Sequence, residues 1–148
     1  MAVSRARSSL APSSPARNAA FEILLRVERE ASYASELLHS ARLAKLSPRD
    51  HGLATELVMG VLRWQSLLDR QLAAASSQKL DRLDGEVLTA LRLGVYQLQF
   101  LSRVPARAAI FLRTAFTNEA AERLRAALTS STLSKIAARA GTLERNCN

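Results

Sequence analysis

The chain has 148 residues, is 48% hydrophobic, and contains only 5 glycines and 4 prolines. This length allows one domain with a substantial core, and it excludes a cofactor domain joined to a separate substrate domain. The scarcity of glycine and proline argues against an all-β fold with many turns, and no apolar run approaches the roughly 20 residues of a membrane span.

The formal net charge is +8, and the positive excess lies at the two ends of the chain. Residues 31–102 hold eight basic and seven acidic side chains. Residues 1–21 hold three arginines and no acid, and residues 103–148 hold eight bases against three acids. Clustered arginine indicates a polyanionic partner such as nucleic acid. An arginine-rich genome with solvated helix faces is the alternative that composition leaves open.

The first 14 residues, MAVSRARSSLAPSS, have no periodic apolar face. They predict a disordered basic arm, with an organellar transit peptide as the compositional alternative. Ser14 and Pro15 are typical of the N-cap and first position of a helix. This first helix carries an apolar stripe: Ala20, Ile23, Leu24 and Val27.

Two further helix starts follow along the chain. A short second helix is predicted after Ser32, with an exposed Tyr33 and three apolar positions: Leu37, Leu38 and Leu43. The motif LSPRD predicts a third helix over about 49–74, because Ser47 can cap it, Pro48 fits its first position and Asp50 can reach back to the cap. One face of the third helix is apolar at spacings of three and four residues: Leu53, Leu57, Val61, Trp64, Leu68 and Leu72.

A fourth helix, over about 85–102, follows Asp84 as its N-cap. Its apolar stripe consists of Leu88, Leu91, Val95 and Leu98. The aromatic side chains near the helical stripes are expected to pack in the core rather than stack on bases: Phe21, Trp64, Tyr96 and Phe100.

Gly60 and Gly94 lie inside the third and fourth helices, where each costs about 1 kcal/mol relative to alanine. A missing side chain lets two helix axes approach more closely than usual. We therefore expect the two helices to cross near these glycines.

The remaining sequence is also helical in pattern, over residues 111–128 and after Ser130 or Ser131, and no segment alternates like a strand. The predicted fold is an all-α bundle of six or seven helices. Its expected boundaries are a basic arm at 1–14, a helical domain at 15–140 and a tail at 141–148.

Two stretches, RDHGLATELVMGVLRWQSLLDRQL and EVLTALRLGVYQLQFLSRVPARAAI, together resemble the NusB-type RNA-binding domain. They are most similar to its version at the N-terminus of bacterial rRNA cytosine-C5 methyltransferases of the Sun/RsmB family. The resemblance covers residues 15–110 and is specific only as a combined pattern. Its elements are Arg17 with Ala20, Asp50, Glu56-Leu57-Val58, Gly60-Val61, Leu68-Asp69, Leu91 to Gly94, and Val104-Pro105.

The resemblance implies a helical domain that binds RNA. In standalone NusB proteins it implies a role in transcription antitermination with a ribosomal protein partner. In the methyltransferases it implies a domain that precedes a catalytic domain using S-adenosylmethionine. Beyond Ile110 the sequence departs from the family, since FLRTAFT intervenes before Asn118 and the last helix is only loosely similar. An insertion, a diverged paralogue and a frameshifted end all remain open as explanations.

Five arginines are the RNA-binding candidates. Arg5 and Arg7 in the arm, with Arg17 at the start of the first helix, are expected to contact phosphates. Arg103 and Arg107 are expected to extend this positive patch.

Arg63 and Arg92 are weaker RNA-binding candidates on the third and fourth helices. Their alternative role is to pair with a helix neighbour such as Glu56 or Glu86.

No catalytic, metal-binding or cofactor-binding role is expected. The related methyltransferases need a cysteine nucleophile and a glycine-rich cofactor loop, whereas this chain has only Cys147 and no G-x-G motif. His39 and His51 have no nearby ligand pattern. The single cysteine, next to the last residue, excludes a disulfide framework within the chain and fits a reducing compartment.

The expected function is therefore that of a noncatalytic, cytoplasmic RNA-binding domain without a membrane association. It would act in rRNA transcription antitermination or as the RNA-docking module of an rRNA methyltransferase. The expected partners are rRNA or its leader transcript and a ribosomal or transcription-complex protein, and a homodimer stays open. Two alternatives remain: a helical protein-interaction module, and the remnant of a methyltransferase that has lost its catalytic domain.

Overall fold

The computed structural model describes residues 14–76 and 79–101, and these are helical throughout apart from short connections. The four α-helices are α1 (Pro15–Glu30), α2 (Ala34–Leu38), α3 (Pro48–Ala75) and α4 (Gly85–Phe100). Short 3-10 turns at Leu43–Lys45 and Leu80–Arg82 lie in the connections.

An all-α fold is confirmed, since these two described ranges contain no strand. The total of six or seven helices stays a prediction. The expected basic arm, the helices beyond residue 110 and the tail lie outside the described residues.

The sequence signals for helix starts are confirmed at α1 and α3. Ser14 is the N-cap of α1 with Pro15 at its first position. At α3, the Ser47 hydroxyl accepts a hydrogen bond from the Asp50 backbone N–H at 3.1 Å and donates one to the Asp50 carboxylate at 2.8 Å. Asp84 is the N-cap residue of α4 as expected, although its side chain makes no capping hydrogen bond.

The second helix is shorter than the sequence suggests. It begins after Tyr33, which serves as its N-cap, and it ends at Leu38, whereas Leu43 lies in a separate 3-10 turn. In one continuous helix, Leu38 and Leu43 would point about 140° apart. The break between them allows both side chains to be buried in the same core.

The core lies where α1, α3 and α4 pack against one another. Among the described residues, the predicted stripes of α1, α3 and α4 supply about half of this core, and the stripe residues that are buried are Ala20, Ile23, Leu24, Leu57, Val61, Leu68, Leu72, Leu91 and Val95. Phe21 and Tyr96 are buried as expected.

Trp64 and Phe100 were expected in the core, and for these two residues the prediction is wrong. Trp64 is 42% exposed and Phe100 is 39% exposed, and their rings stack with centroids 5.4 Å apart. Phe100 also stacks on the buried Tyr96 at 5.0 Å. The three rings form a row that leads from the buried Tyr96 to the exposed Phe100 and Trp64.

The Tyr96 ring of α4 lies directly against the backbone of α3 at Gly60. A β-carbon at Gly60 would overlap the ring and hydroxyl of Tyr96. At this position the absent side chain therefore makes room for a buried aromatic ring from the facing helix. The corresponding role for Gly94 stays a prediction.

Substituting alanine at two glycines of α3 tests this packing. A β-carbon at Gly60 overlaps Tyr96, whereas a β-carbon at Gly52 meets nothing within 4 Å. Both substitutions gain the same helix propensity, so their difference isolates the overlap. We expect Gly60→Ala to be less stable than Gly52→Ala by about 1–3 kcal/mol in urea unfolding. Equal stabilities of the two variants would contradict the contact.

Candidate nucleic-acid interface

Arg17 is the one leading RNA-binding candidate within the described residues, and it lies in the first turn of α1. Its Nε donates a hydrogen bond to the Gln97 side-chain oxygen in the last turn of α4, at 2.6 Å. The other four leading candidates, Arg5, Arg7, Arg103 and Arg107, lie outside the described residues.

Gln97 was not singled out from the sequence, yet it is fully buried, with 0% of its surface exposed. Its amide nitrogen donates to the Leu93 carbonyl at 3.0 Å, one turn back along α4, while its amide oxygen accepts from Arg17. Both ends of the buried amide are thus satisfied, as a polar group in a core requires. No local sequence signal marks such a glutamine, because its partner lies 80 positions away.

Polar contacts along α1 and α4 show that the two helices run antiparallel. Arg17 meets Gln97 at one end, and at the other end Arg29 forms a 3.0 Å ion pair with Glu86. The start of α1 and the end of α4 therefore lie at the same end of the helical body. The two most basic parts of the sequence adjoin these positions, before Ser14 and after Leu101.

Arg92 is buried and forms ion pairs with two partly exposed carboxylates. Its Nε and one Nη donate to the two carboxylate oxygens of Asp69 at 2.7 and 2.9 Å, and its other Nη donates to Glu28 at 3.3 Å. Only 8% of Arg92 is exposed. Burial alone lowers the pKa of this guanidinium, but the hydrogen bonds and charges of Asp69 and Glu28 outweigh burial and raise the pKa above its ordinary value.

Arg92 therefore forms ion pairs, as one of its two expected roles required, but its partners are Asp69 and Glu28 instead of Glu86. Asp69 belongs to α3 and Glu28 to α1, so the guanidinium joins three helices. Glu86, the expected neighbour, pairs with Arg29 instead. This geometry supports a structural role for Arg92 rather than contact with RNA.

Arg63 and Glu56 are both exposed on α3, and no ion pair joins them in the described part of the chain. Their charges act on Tyr96. Burial, aided by the charge of Glu56, raises the pKa of the Tyr96 phenol, and the charge of Arg63 partly offsets that rise. Arg63 stays a weaker RNA-binding candidate.

The two histidines make backbone contacts. His39 Nδ1 lies 2.6 Å from the Ser35 carbonyl, and His51 Nε2 lies 3.3 Å from the Leu38 carbonyl. In residues 14–76 and 79–101, no group of three or more potential ligands is arranged to hold a metal ion. Over the same ranges, none of the helices combines the length and apolar character needed to cross a bilayer.

Comparison with known proteins identifies the family of this chain. The NusB family model matches residues 14–137. The chain belongs to the NusB family. The match begins at Ser14, the N-cap of α1, and continues well beyond α4.

Solved NusB structures share the fold. Thermotoga maritima NusB superposes with a TM-score of 0.69 at 22% identity, over 85% of this chain and 90% of that protein. A chain in the crystal structure of the antitermination factors NusB and NusE in complex with dsRNA gives a TM-score of 0.68 at 25% identity, over 84% of this chain and 94% of its own length.

The curated relatives are much longer proteins. A putative methyltransferase of Mycobacterium tuberculosis is 43% identical over 101 residues, which are 67% of this chain and 22% of that protein. A probable ribosomal RNA small subunit methyltransferase B of Synechocystis is 36% identical over 96 residues, 64% of this chain and 22% of the relative. This NusB-family chain thus matches about a fifth of the length of these relatives.

The Arg92 network yields a stability prediction. Asp69→Ala would leave the nearly buried guanidinium without its two-pronged carboxylate partner. Because Asp69 itself is 30% exposed, we expect a loss of about 2–3 kcal/mol, below the full cost of breaking a buried pair. Thermal and urea unfolding measure this loss.

Glu22→Ala is the matched control, since it removes the partner of Arg42 in a pair whose arginine is 78% exposed. Pairs of that kind contribute about 0–1 kcal/mol. Similar losses in the two variants would contradict the structural role assigned to Arg92.

Proposed function

We propose that this chain is a noncatalytic RNA-binding domain that contacts the RNA backbone at the shared end of α1 and α4. The observation that carries the proposal is the Arg17–Gln97 hydrogen bond, because it puts the start of α1 beside the end of α4. Arg5 and Arg7 precede that point in the sequence, and Arg103 and Arg107 follow it. One positive surface is the arrangement that best explains the excess charge at both chain ends.

Family membership supports RNA as the polyanion. A structural neighbour was crystallised with NusE and double-stranded RNA, and two of the relatives named above carry methyltransferase names, one of them for ribosomal RNA. Arginine suits contact with phosphates, which position a protein on nucleic acid without reading its sequence. We therefore assign backbone contacts to the five leading arginines and no base-specific readout.

The chemistry of methylation is not assigned to this chain. Its one cysteine is Cys147, and it contains no G-x-G cofactor motif. We propose that it acts in the cytoplasm, either as the RNA-docking part of an rRNA methyltransferase or in rRNA transcription antitermination. A cofactor-binding domain encoded in the adjoining genomic sequence would favour the first setting over the second.

RNA titrations over a range of salt concentrations test the proposed surface. We expect the triple variant Arg5→Ala, Arg7→Ala, Arg17→Ala to bind a fluorescein-labelled double-stranded RNA at least about tenfold more weakly than the wild type. Each lost phosphate contact should also reduce the slope of log affinity against log salt by about 0.7–0.9.

A second triple variant controls for net charge. Arg26→Ala, Arg29→Ala, Arg42→Ala removes the same charge from arginines that form ion pairs with glutamates. We expect a smaller loss of affinity and a nearly unchanged salt slope. Equal effects of the two triple variants would mean that net charge, and not the proposed surface, determines binding.

A second candidate function is protein interaction, and the exposed Trp64–Phe100 pair favours it. These stacked rings are 42% and 39% exposed, and surface aromatics are enriched where proteins meet. NusE accompanies NusB in the solved complex, which makes a NusE-type protein the natural partner to test.

Trp64 is the only tryptophan in the chain, so its fluorescence reports this surface directly. If a NusE-type protein covers the rings, its addition without RNA should shift the Trp64 emission to shorter wavelength and reduce acrylamide quenching, because water is excluded. A tryptophan-free form of the partner keeps the signal specific. Binding without any change in Trp64 emission would remove this surface from consideration.

A further inference from the structure

We infer that Gln97 is a positioning residue, which holds the Arg17 guanidinium in the orientation that receives an RNA phosphate. The inference rests on the proposed function, because it concerns how one of the proposed arginines is presented. Gln97 does not contact RNA in this arrangement, since its side chain is fully buried.

The Gln97 amide has only one orientation that satisfies both of its ends. Its nitrogen donates to the Leu93 carbonyl, so its oxygen faces the Arg17 Nε–H. A flipped amide would set its oxygen against a carbonyl oxygen and its N–H groups against the guanidinium. The buried glutamine is therefore a fixed acceptor.

As far as the described residues go, the contact leaves both Nη groups of the Arg17 guanidinium without a hydrogen-bond partner. Arg17 uses Nε for Gln97, and within residues 14–76 and 79–101 this is the only side-chain hydrogen bond of Arg17. The two Nη groups form the planar edge that matches two phosphate oxygens. Holding the side chain before RNA arrives reduces the conformational entropy lost on binding.

The neutrality of the partner distinguishes Arg17 from the ion-paired arginines. Arg26, Arg29, Arg42 and Arg92 each pair with a carboxylate. A carboxylate at position 97 would neutralise Arg17 and repel a phosphate. The amide fixes the guanidinium in place and leaves its full positive charge, while the negative end of the α4 dipole favours a cation there.

A double-mutant cycle in RNA affinity tests this role. Gln97→Met keeps the side-chain length and apolar packing but removes the acceptor. We expect Gln97→Met to weaken binding of the labelled double-stranded RNA by about three- to tenfold when Arg17 is present. With Arg17→Ala already in place, Gln97→Met should cause no further loss.

Thr89→Val is the matched control at the opposite end of α4. Thr89 is 2% exposed and donates to Glu28 of α1 at 3.3 Å, so it makes another part-buried polar contact between the same two helices. We expect Thr89→Val to alter unfolding stability without changing RNA affinity. All affinities are measured where each variant is fully folded by circular dichroism.

The possible outcomes distinguish a failure of the positioning role of Gln97 from a failure of the proposed RNA-binding function. Equal losses from Gln97→Met with and without Arg17 would indicate a merely structural glutamine and overturn the inference. So would an unchanged affinity of Gln97→Met when Arg17→Ala alone weakens binding, although the proposed function would then survive. Failure of the wild-type protein to bind the RNA at all would overturn the proposed function, and the inference with it.

Discussion

The packing of α1 against α4 in antiparallel orientation is the constraint on which the rest of the account depends. Apolar side chains provide most of the attraction. Polar pairs mark the two ends of the contact: Arg17 with Gln97 at one end, and Arg29 with Glu86 at the other. Because the helices are antiparallel, the segment that precedes α1 and the segment that follows α4 join the helical body at the same end.

This geometry gives the charge distribution a meaning that composition alone does not. A neutral central region is folded into the described helices, and the excess of arginine precedes and follows it. Within the described ranges, four arginines form ion pairs with carboxylates, and the most deeply buried of these is Arg92. Arg17 differs because its partner is a neutral amide. Its position is also unfavourable for a cation, since a positive charge in the first turn of α1 opposes the dipole of that helix. Such local conflicts are expected where a side chain serves binding.

The helices were largely predictable from sequence, since their starts and apolar faces depend on neighbouring residues. Ser47 and Asp50 are an example, because the capping contact joins positions three apart. The exposure of Trp64 was not predictable, since its helical spacing matches that of buried neighbours. Its stacking on Phe100 depends instead on where α4 ends relative to α3.

The candidate site was only partly predictable for the same reason. Arg17 could be singled out by charge and family resemblance, but Gln97 has no local signature, and its function depends on a contact across 80 residues. The partners of Arg92 also escaped prediction, because Asp69 and Glu28 reach it from two other helices. Helix periodicity identifies which face is buried, whereas the identity of the facing residue requires the tertiary structure.

The most direct test of the shared surface is a map of backbone amide chemical shifts on addition of double-stranded RNA. The account predicts that, within the helical body, the largest changes fall in the first turn of α1, around Arg17, and in the last turn of α4, around Gln97. Changes concentrated at the opposite end, around Arg29 and Glu86, would contradict it.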